Sequence, residues 1–241
     1  MGQSWFAWKG IDCRSMGVLL QAAVPIVRPE ERVKHDEIPG RSGDLTEVEG
    51  QGDGDEIYNS YIQTATIIVR GGSHVRDIFR WLRGSGYVTF SGEPDRRQKA
   101  RIIGAITLAK HSRNLDTYVG EVQFYCQPLK ERMQEAVQTV TASGTNVRNN
   151  GDVTARPVYK VTASDTSFSV TVGDKTIAQS GVLVGNYYWI DCGTMEVWNQ
   201  WHNNLLTKNS LGKFPMLAPG DNTLTGAGWS SIEIEKRERY L

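Results

Sequence analysis

The feature that most constrains this fold is a succession of short runs rich in aromatic and β-branched residues. Each is cut off by turn residues before it could form a helix of several turns. Residues 5–9 (WFAWK), 64–70 (TATIIVR), 86–90 (GYVTF), 100–110 (ARIIGAITLAK) and 117–127 (TYVGEVQFYCQ) read as strands in the first half. Residues 158–163, 167–172, 187–191, 196–199 and 231–236 continue the series. Turn signals separate them at Val172-Gly173-Asp174, Asp191-Cys192-Gly193 and Pro219-Gly220-Asp221-Asn222. In 231–236, Ile232 and Ile234 alternate with Glu233 and Glu235, so one face of that strand is buried and the other wet. In 117–127 the polar residues do not alternate cleanly, which predicts a strand covered on both faces.

One segment breaks the pattern. Over residues 74–83, Val75, Ile78, Phe79 and Leu82 fall at helical spacing and predict a single apolar face. Ser73 is the expected N-cap and Gly84 the expected C-terminal stop. Composition shifts after Pro128 to a charged run, and then to the polar stretch 141–157 (TASGTNVRNNGDVTARP), which reads as a linker. A chain of 241 residues with a boundary near 135 predicts two domains, 1–135 and 136–241.

Few function classes survive. Lys and Arg balance Asp and Glu at 27 each and are spread along the chain, so no basic patch points to nucleic acid. No apolar run approaches a membrane span, and MGQSWFAWKG lacks the apolar core of a signal peptide. Synthesis and folding in a cytoplasm, with no membrane partner, is the expectation. Cys13, Cys126 and Cys192 are isolated, which predicts three buried reduced thiols rather than disulfides or zinc ligands. His35, His74, His111 and His202 show no metal-ligand spacing, and no GxSxG elbow occurs. Gly71-Gly72-Ser73 sits where a phosphate loop would sit but lacks the lysine, so a plain turn is expected. Asp53, Asp55 and Glu56 do not match calcium-loop spacing and read as a solvated hairpin tip. No catalytic, cofactor or metal residue is assigned, and an enzyme is not expected.

Two sets of residues carry what functional signal there is. Pro25 and Pro29 force residues 24–33 into an extended arm suited to lying along an edge or across a neighbour. The IPGRSG sequence adds a tight turn at Pro39-Gly40, with Arg41 and Asp44 as exposed charges. Arg28, Arg32, Arg41 and Asp44 are the candidate subunit-interface charges. In the second half, Tyr187, Tyr188, Trp189, Trp198, Trp201 and Trp229 are core residues or sugar-stacking platforms, with core packing the expectation for any one of them. Alternation sends Tyr188 to the face opposite Tyr187 and Trp189. Trp198 and Trp201 are the candidate glycan-stacking pair.

The segments WKGIDCRSMGV, RPEERV, IPGRSGDLTE and TATIIVRGGSHVRDIFRWLRGSGYVTF, in this order, resemble the N-terminal domain of siphophage distal tail (Dit) proteins. ARPVYKVT, YYWIDCGTMEVW and GKFPMLAPGDNTLTG are similar to the C-terminal sandwich of the same proteins. The resemblance implies a mainly β chain: an N-terminal sandwich or barrel-like ring-forming domain with one α-helix, and a galectin-like or carbohydrate-module-like C-terminal sandwich. It also implies a homohexameric ring at the virion tail tip. That ring would join the tail tube protein to a tail-tip protein, in some phages carry receptor-binding proteins, and let DNA pass without specific binding. The HxNPR and WGxExR motifs of β-galactoside-binding galectins are absent: His202 precedes Asn203-Asn204-Leu205, and Trp229 precedes Ser230-Ser231. The alternative expectation is a carbohydrate-binding module that adheres to host cell-wall polymers.

Overall fold

A computed structural model describes residues 4–40, 42–48, 57–113 and 115–241. The chain is mainly β and divides into two compact units, Met1–Met133 with Leu241, and Gln134–Tyr240.

The first unit holds β1 (Phe6–Trp8), β2 (Ile11–Asp12), β3 (Val18–Leu20), β4 (Val33–Asp36), β5 (Leu45–Val48), β6 (Tyr61–Arg70), α1 (Val75–Trp81), β7 (Ser85–Phe90), β8 (Arg96–Ile103), β9 (Leu108–Ser112) and β10 (Leu115–Arg132). One antiparallel sheet runs β2-β1-β7-β8-β10-β6-β3, while β4 and β5 form a separate two-stranded hairpin. Its core is aromatic. Phe124 meets Phe6, Trp8 and Phe90 with ring centroids 5.4, 5.6 and 5.7 Å away. Ile67, Val69 and Val122 fill in around them.

β10 organises this sheet. Residues 117–126 pair with β6 on one side. On the other side it pairs first with β9 and then with β8. The run 100–110, expected as one strand, is therefore two strands that share one edge of β10. The chain leaves β8 at Gly104, whose φ of +71° lies outside the extended region of a regular strand, and rejoins as β9. The expectation that 117–127 is covered on both faces is corrected over 121–127, whereas 117–120 are half-buried on both faces. Val122, Phe124 and Cys126 are buried while Glu121 and Tyr125 are exposed, a clean alternation with one outward face.

The helix differs from its sequence reading in length and phase. It is preceded by a 3₁₀ turn (Gly72–His74), and no side chain caps it, so Ser73 is not an N-cap. Ile78, Trp81 and Leu82 face the core, whereas Phe79 is 39% exposed. Trp81 sets this rotation: its ring stacks on Phe6 at 5.6 Å and its indole N–H donates to the Trp8 carbonyl at 3.2 Å. Burying such a ring is worth roughly 1.5–3 kcal/mol, more than a short helix gains from its own phase. Gly84 has the left-handed φ expected of a helix stop. In the Gly71-Gly72-Ser73 turn, the Gly72 amide donates to the Asp116 carboxylate at 2.8 Å and the Gly71 amide to the Asp116 carbonyl at the same distance, so an acidic residue occupies these donors.

The second unit holds β11 (Gln138–Val140), β12 (Thr145–Asn149), β13 (Val158–Ala163), β14 (Ser167–Val172), β15 (Lys175–Ser180), β16 (Tyr187–Asp191), β17 (Glu196–Asn199), β18 (Ser210–Gly212), β19 (Gly220–Ala227) and β20 (Trp229–Glu235). Two five-stranded antiparallel sheets, β11-β20-β13-β16-β17 and β12-β19-β14-β15-β18, make a β-sandwich. Val161, Ile190, Ile232 and Ile234 of the first sheet and Val147, Val170, Ile177 and Leu224 of the second belong to the core. The polar stretch 141–157 is not a linker. It contains β12, paired with β19, and Asn149 ties its return by donating to the Val153 and Leu217 carbonyls at 3.1 and 2.9 Å. The FPML segment closes the core: the Pro215 carbonyl accepts from the Tyr159 hydroxyl and the Cys192 thiol, both at 3.1 Å.

Candidate functional site

The features that stand out among the described residues are surfaces. Those residues hold no group of three or more His, Cys, Asp or Glu that could bind a metal ion, and no helix long and apolar enough to cross a membrane. The three thiols are buried and unbridged. Burial pushes the Cys126 thiol up to about 12 against the weaker pull of the Lys130 ammonium, and it raises Cys13 and Cys192 as well. Burial likewise takes the Tyr61 phenol up to about 12, although Gln98 hydrogen-bonds it. None of these groups ionises near neutrality to act as a nucleophile. The Asp53, Asp55 and Glu56 cluster lies outside the described residues.

In the first unit the arm departs from the main sheet and becomes the β4–β5 hairpin. Residues 21–25 run beside β6, where the Gln21 amide donates to the Thr66 carbonyl at 3.0 Å and the buried Gln63 amide donates to the Pro25 carbonyl. At the hairpin base Glu31 bridges Tyr58, and the Arg32 amide donates to the Ile57 carbonyl at 2.6 Å. Arg28 reaches Glu31 at 3.5 Å, and the Arg32 guanidinium donates to Asn59 at 3.2 Å. Asp44 is exposed near the other end, next to the Asp36–Leu45 pair, and Arg41 lies outside the described residues. Of the described candidates, Arg28 and Arg32 thus lie at or before the hairpin base and Asp44 near its other end.

Sequence reasoning missed the outward face of the main sheet. Arg97, Lys99 and Arg101 alternate outward along β8, beside Tyr87 of β7 and Tyr125 of β10. Arg97 stacks on Tyr87 at 4.4 Å and pairs with Glu131 at 3.3 Å. Between Tyr87 and Tyr125 lies an open groove of about 500 Å³, into which Lys99 and Arg101 project. Tyr125 is 41% exposed, and Ile62, its register partner on β6, is 53% exposed. The signal was the alternation of β8 and β10, legible only once their register is known.

The second unit presents a different surface. Across its first sheet the register aligns Glu233, Lys160, Trp189 and Trp198 on four successive strands. Lys160 pairs with Glu233 at 3.0 Å and lies over the Tyr187 and Trp189 rings at 4.7 and 5.8 Å. His202 packs against Trp189 at 5.1 Å and Trp198 at 6.3 Å. Trp201 stands 68% exposed on the turn that Asn199 braces by accepting from the Asn203 and Asn204 amides. Tyr188 is buried on the opposite face, where its hydroxyl accepts from the Leu183 amide at 2.8 Å. Trp198 therefore belongs to an outward aromatic row, and Trp201 flanks it. Lys160, Glu233 and His202 are members that only the register reveals.

No protein-family model matches the chain, and no curated protein does. Among solved structures it matches SPP1 Dit, described as a paradigm of the hub adsorption apparatus in phages that infect Gram-positive bacteria. The match has a TM-score of 0.80 and covers 100% of both chains at 18% identity. Over its whole length, this chain has the fold of SPP1 Dit.

Proposed function

We propose that this protein is the distal tail hub of a long, non-contractile phage tail. In this reading it is a homohexameric ring in the virion tail tip, made in the host cytoplasm. The ring joins the tail tube protein to tail-tip proteins and to any receptor-binding protein they carry, and DNA passes through its channel without specific binding. The role is structural, not catalytic. Residues 1–135 make the ring, and residues 136–241 project from it. One observation carries the reading: both the sheet-and-helix unit and the sandwich unit match a phage adsorption hub along the full chain. Heterologous contacts that close on themselves give such a ring without a partner of different sequence. Native mass measurement and negative-stain imaging of the purified protein test it. Closed six-membered rings with a central opening are expected. A monomer at every concentration, alone and with the tail tube protein, sinks the reading.

The aromatic row gives a specific reason to keep a second reading, adhesion to a host cell-wall saccharide. Trp198 and the exposed Trp201 offer ring faces, while Lys160, Glu233 and Glu196 offer partners for hydroxyl groups. Retention of the protein on purified cell walls, lost in Trp198→Ala and Trp201→Ala, is the expected result. Equal retention of wild type and both variants, or none at all, removes this reading.

A further inference from the structure

We propose that His202 plugs a pyranose-binding site on the second unit, with the Trp189 ring as the floor of that site and the turn after β17 as its lid. The inference rests on the saccharide reading above and names the subsite and the class of sugar it takes.

Three observations meet at Trp189. First, its indole N–H is buried and has no hydrogen-bond partner. A buried donor without an acceptor keeps the full cost of its lost hydration, so it is a place where an incoming oxygen gains most. Trp198, in the same row, shows the contrast: its indole N–H donates to Glu196 at 3.2 Å. Second, the group packed on Trp189 is a flat ring, the His202 imidazole, with centroids 5.1 Å apart and planes tilted by 40°. The imidazole has Trp198 as its other ring neighbour, at 6.3 Å, and makes no hydrogen bond among the described residues. Third, His202 has a φ of +53°, a left-handed backbone that glycine adopts freely and histidine holds at a cost.

The lid has a firm base and an exposed tip. The Asn199 amide donates to the Asn204 carbonyl at 3.2 Å, and the Asn199 side chain accepts from the Asn203 and Asn204 amides at 3.2 and 3.3 Å. His202 is tied to that base through its amide, which donates to the Asn199 carbonyl at 3.1 Å. Trp201 and His202 ride on the tip, both exposed. A swing of the tip uncovers Trp189 while the base stays closed.

The surroundings set the ligand class. Lys160, over the Trp189 ring, is already paired with Glu233 at 3.0 Å, and Glu196 stands beside Trp198. There is no cationic excess to select a phosphate-bearing or acidic polymer. The ammonium and the carboxylates instead serve as donor and acceptors for hydroxyl groups, and the indole takes the apolar face of a sugar ring. The ligand is therefore a neutral glycan. One of its pyranose rings displaces the imidazole, one of its oxygens accepts from the Trp189 N–H, and Trp201 covers a neighbouring unit.

NMR of the full chain, labelled with nitrogen-15 at tryptophan, tests this. Trp189→Phe assigns the Trp189 indole signal. The probes are neutral di- to tetrasaccharides of glucose, galactose and N-acetylglucosamine, with poly(glycerol phosphate) as the anionic comparator. His202→Gly removes the plug and the left-handed strain, so at least one neutral probe binds it about fivefold or more tighter than it binds the wild type. That probe moves the Trp189 indole signal, and Trp189→Phe, which keeps a ring but lacks the N–H, weakens its binding about tenfold. Circular dichroism checks the folding of each variant. Equal affinity of wild type and His202→Gly, or an indole signal that stays in place as sugar binds, overturns the proposal. If binding is then still lost in Trp198→Ala and Trp201→Ala, the saccharide reading stands and only the plugged site falls. Failure of every neutral probe on both wild type and His202→Gly removes the site, as does a preference for poly(glycerol phosphate) over all of them.

Discussion

The two units solve the same problem, hiding one face of each strand, in different ways. In the second unit two sheets cover each other, and the core is spread over many aliphatic side chains from both. In the first unit one sheet closes over a short helix, and the core is concentrated in a few large rings around Phe124. A dispersed core loses little with any one side chain. A concentrated core depends on its hub. The comparison also explains the surfaces. The sandwich unit leaves an outward face whose aromatic row is already packed against its own Lys160 and His202, whereas the first unit leaves an open groove and a hairpin outside the main sheet.

The largest expected effect tests the concentrated core. Phe124→Ala removes the ring that three others contact and costs about 3–5 kcal/mol, whereas Ile232→Val in the sandwich costs about 0.5–1.5 kcal/mol. Calorimetry, with hydrogen exchange to assign each transition, should show the first variant melting one unit early and the second barely shifting the other. Equal losses would erase the distinction. Next come two glycines held against backbone. A Cβ at Gly226 would meet the Ser169 carbonyl at a φ of +147°, and one at Gly120 would meet the Thr107 carbonyl with no unusual φ. Gly226→Ala should therefore cost more, about 2 kcal/mol or above, because steric and conformational strain add. A ranking in the opposite order would show that the turn before β9 yields less than the sandwich strand does.

A smaller effect separates the units by pH. Burial pushes the Glu238 carboxyl up, but the Asn150 amide, the Tyr240 hydroxyl and the Lys236 ammonium outweigh it and leave the group below the ordinary glutamate value of 4.5. A carboxyl depressed in the folded state adds stability above its unfolded pKa and loses it as pH falls through the lower folded value. Glu238→Gln should lower stability at neutral pH by about 1–2 kcal/mol and flatten the decline below pH 4.5. Urea titrations across that range decide it, and a variant with the wild-type slope would exclude Glu238 as the titrating group. The smallest effect is Arg148→Ala. Its pairing with Asp221 at 3.3 Å is solvent-exposed, and its loss should change stability by under about 0.5 kcal/mol.

Strands were legible in the sequence where one face is apolar and the other polar. β13, β14, β16 and β17 have the bounds that alternation gives. β12, β15 and β19 carry no apolar alternation because their buried faces mix Val147, Ile177 and Leu224 with the polar Asn149, Gln179 and Asn222. The helix phase was misread because Trp81 competes with Phe79 for the core and wins through a stacking partner 75 residues away in the chain. Site residues suffered most. Tyr87, Lys99, Arg101 and Tyr125 become neighbours through register between strands, which no local pattern encodes. The arm is legible from Pro25 and Pro29, whereas the candidate charges Arg28, Arg32, Arg41 and Asp44 sit in a segment that is predominantly acidic.

The three cysteines have a consequence beyond packing. Each thiol is buried and held away from ionisation, Cys192 donates to a carbonyl, and Cys13 accepts from the Phe6 amide. Without thiolate there is no disulfide exchange and little oxidation. The three thiols therefore keep no covalent record of their surroundings. Moving between a reducing and an aerated solution therefore asks no thiol pairing or exchange of this fold.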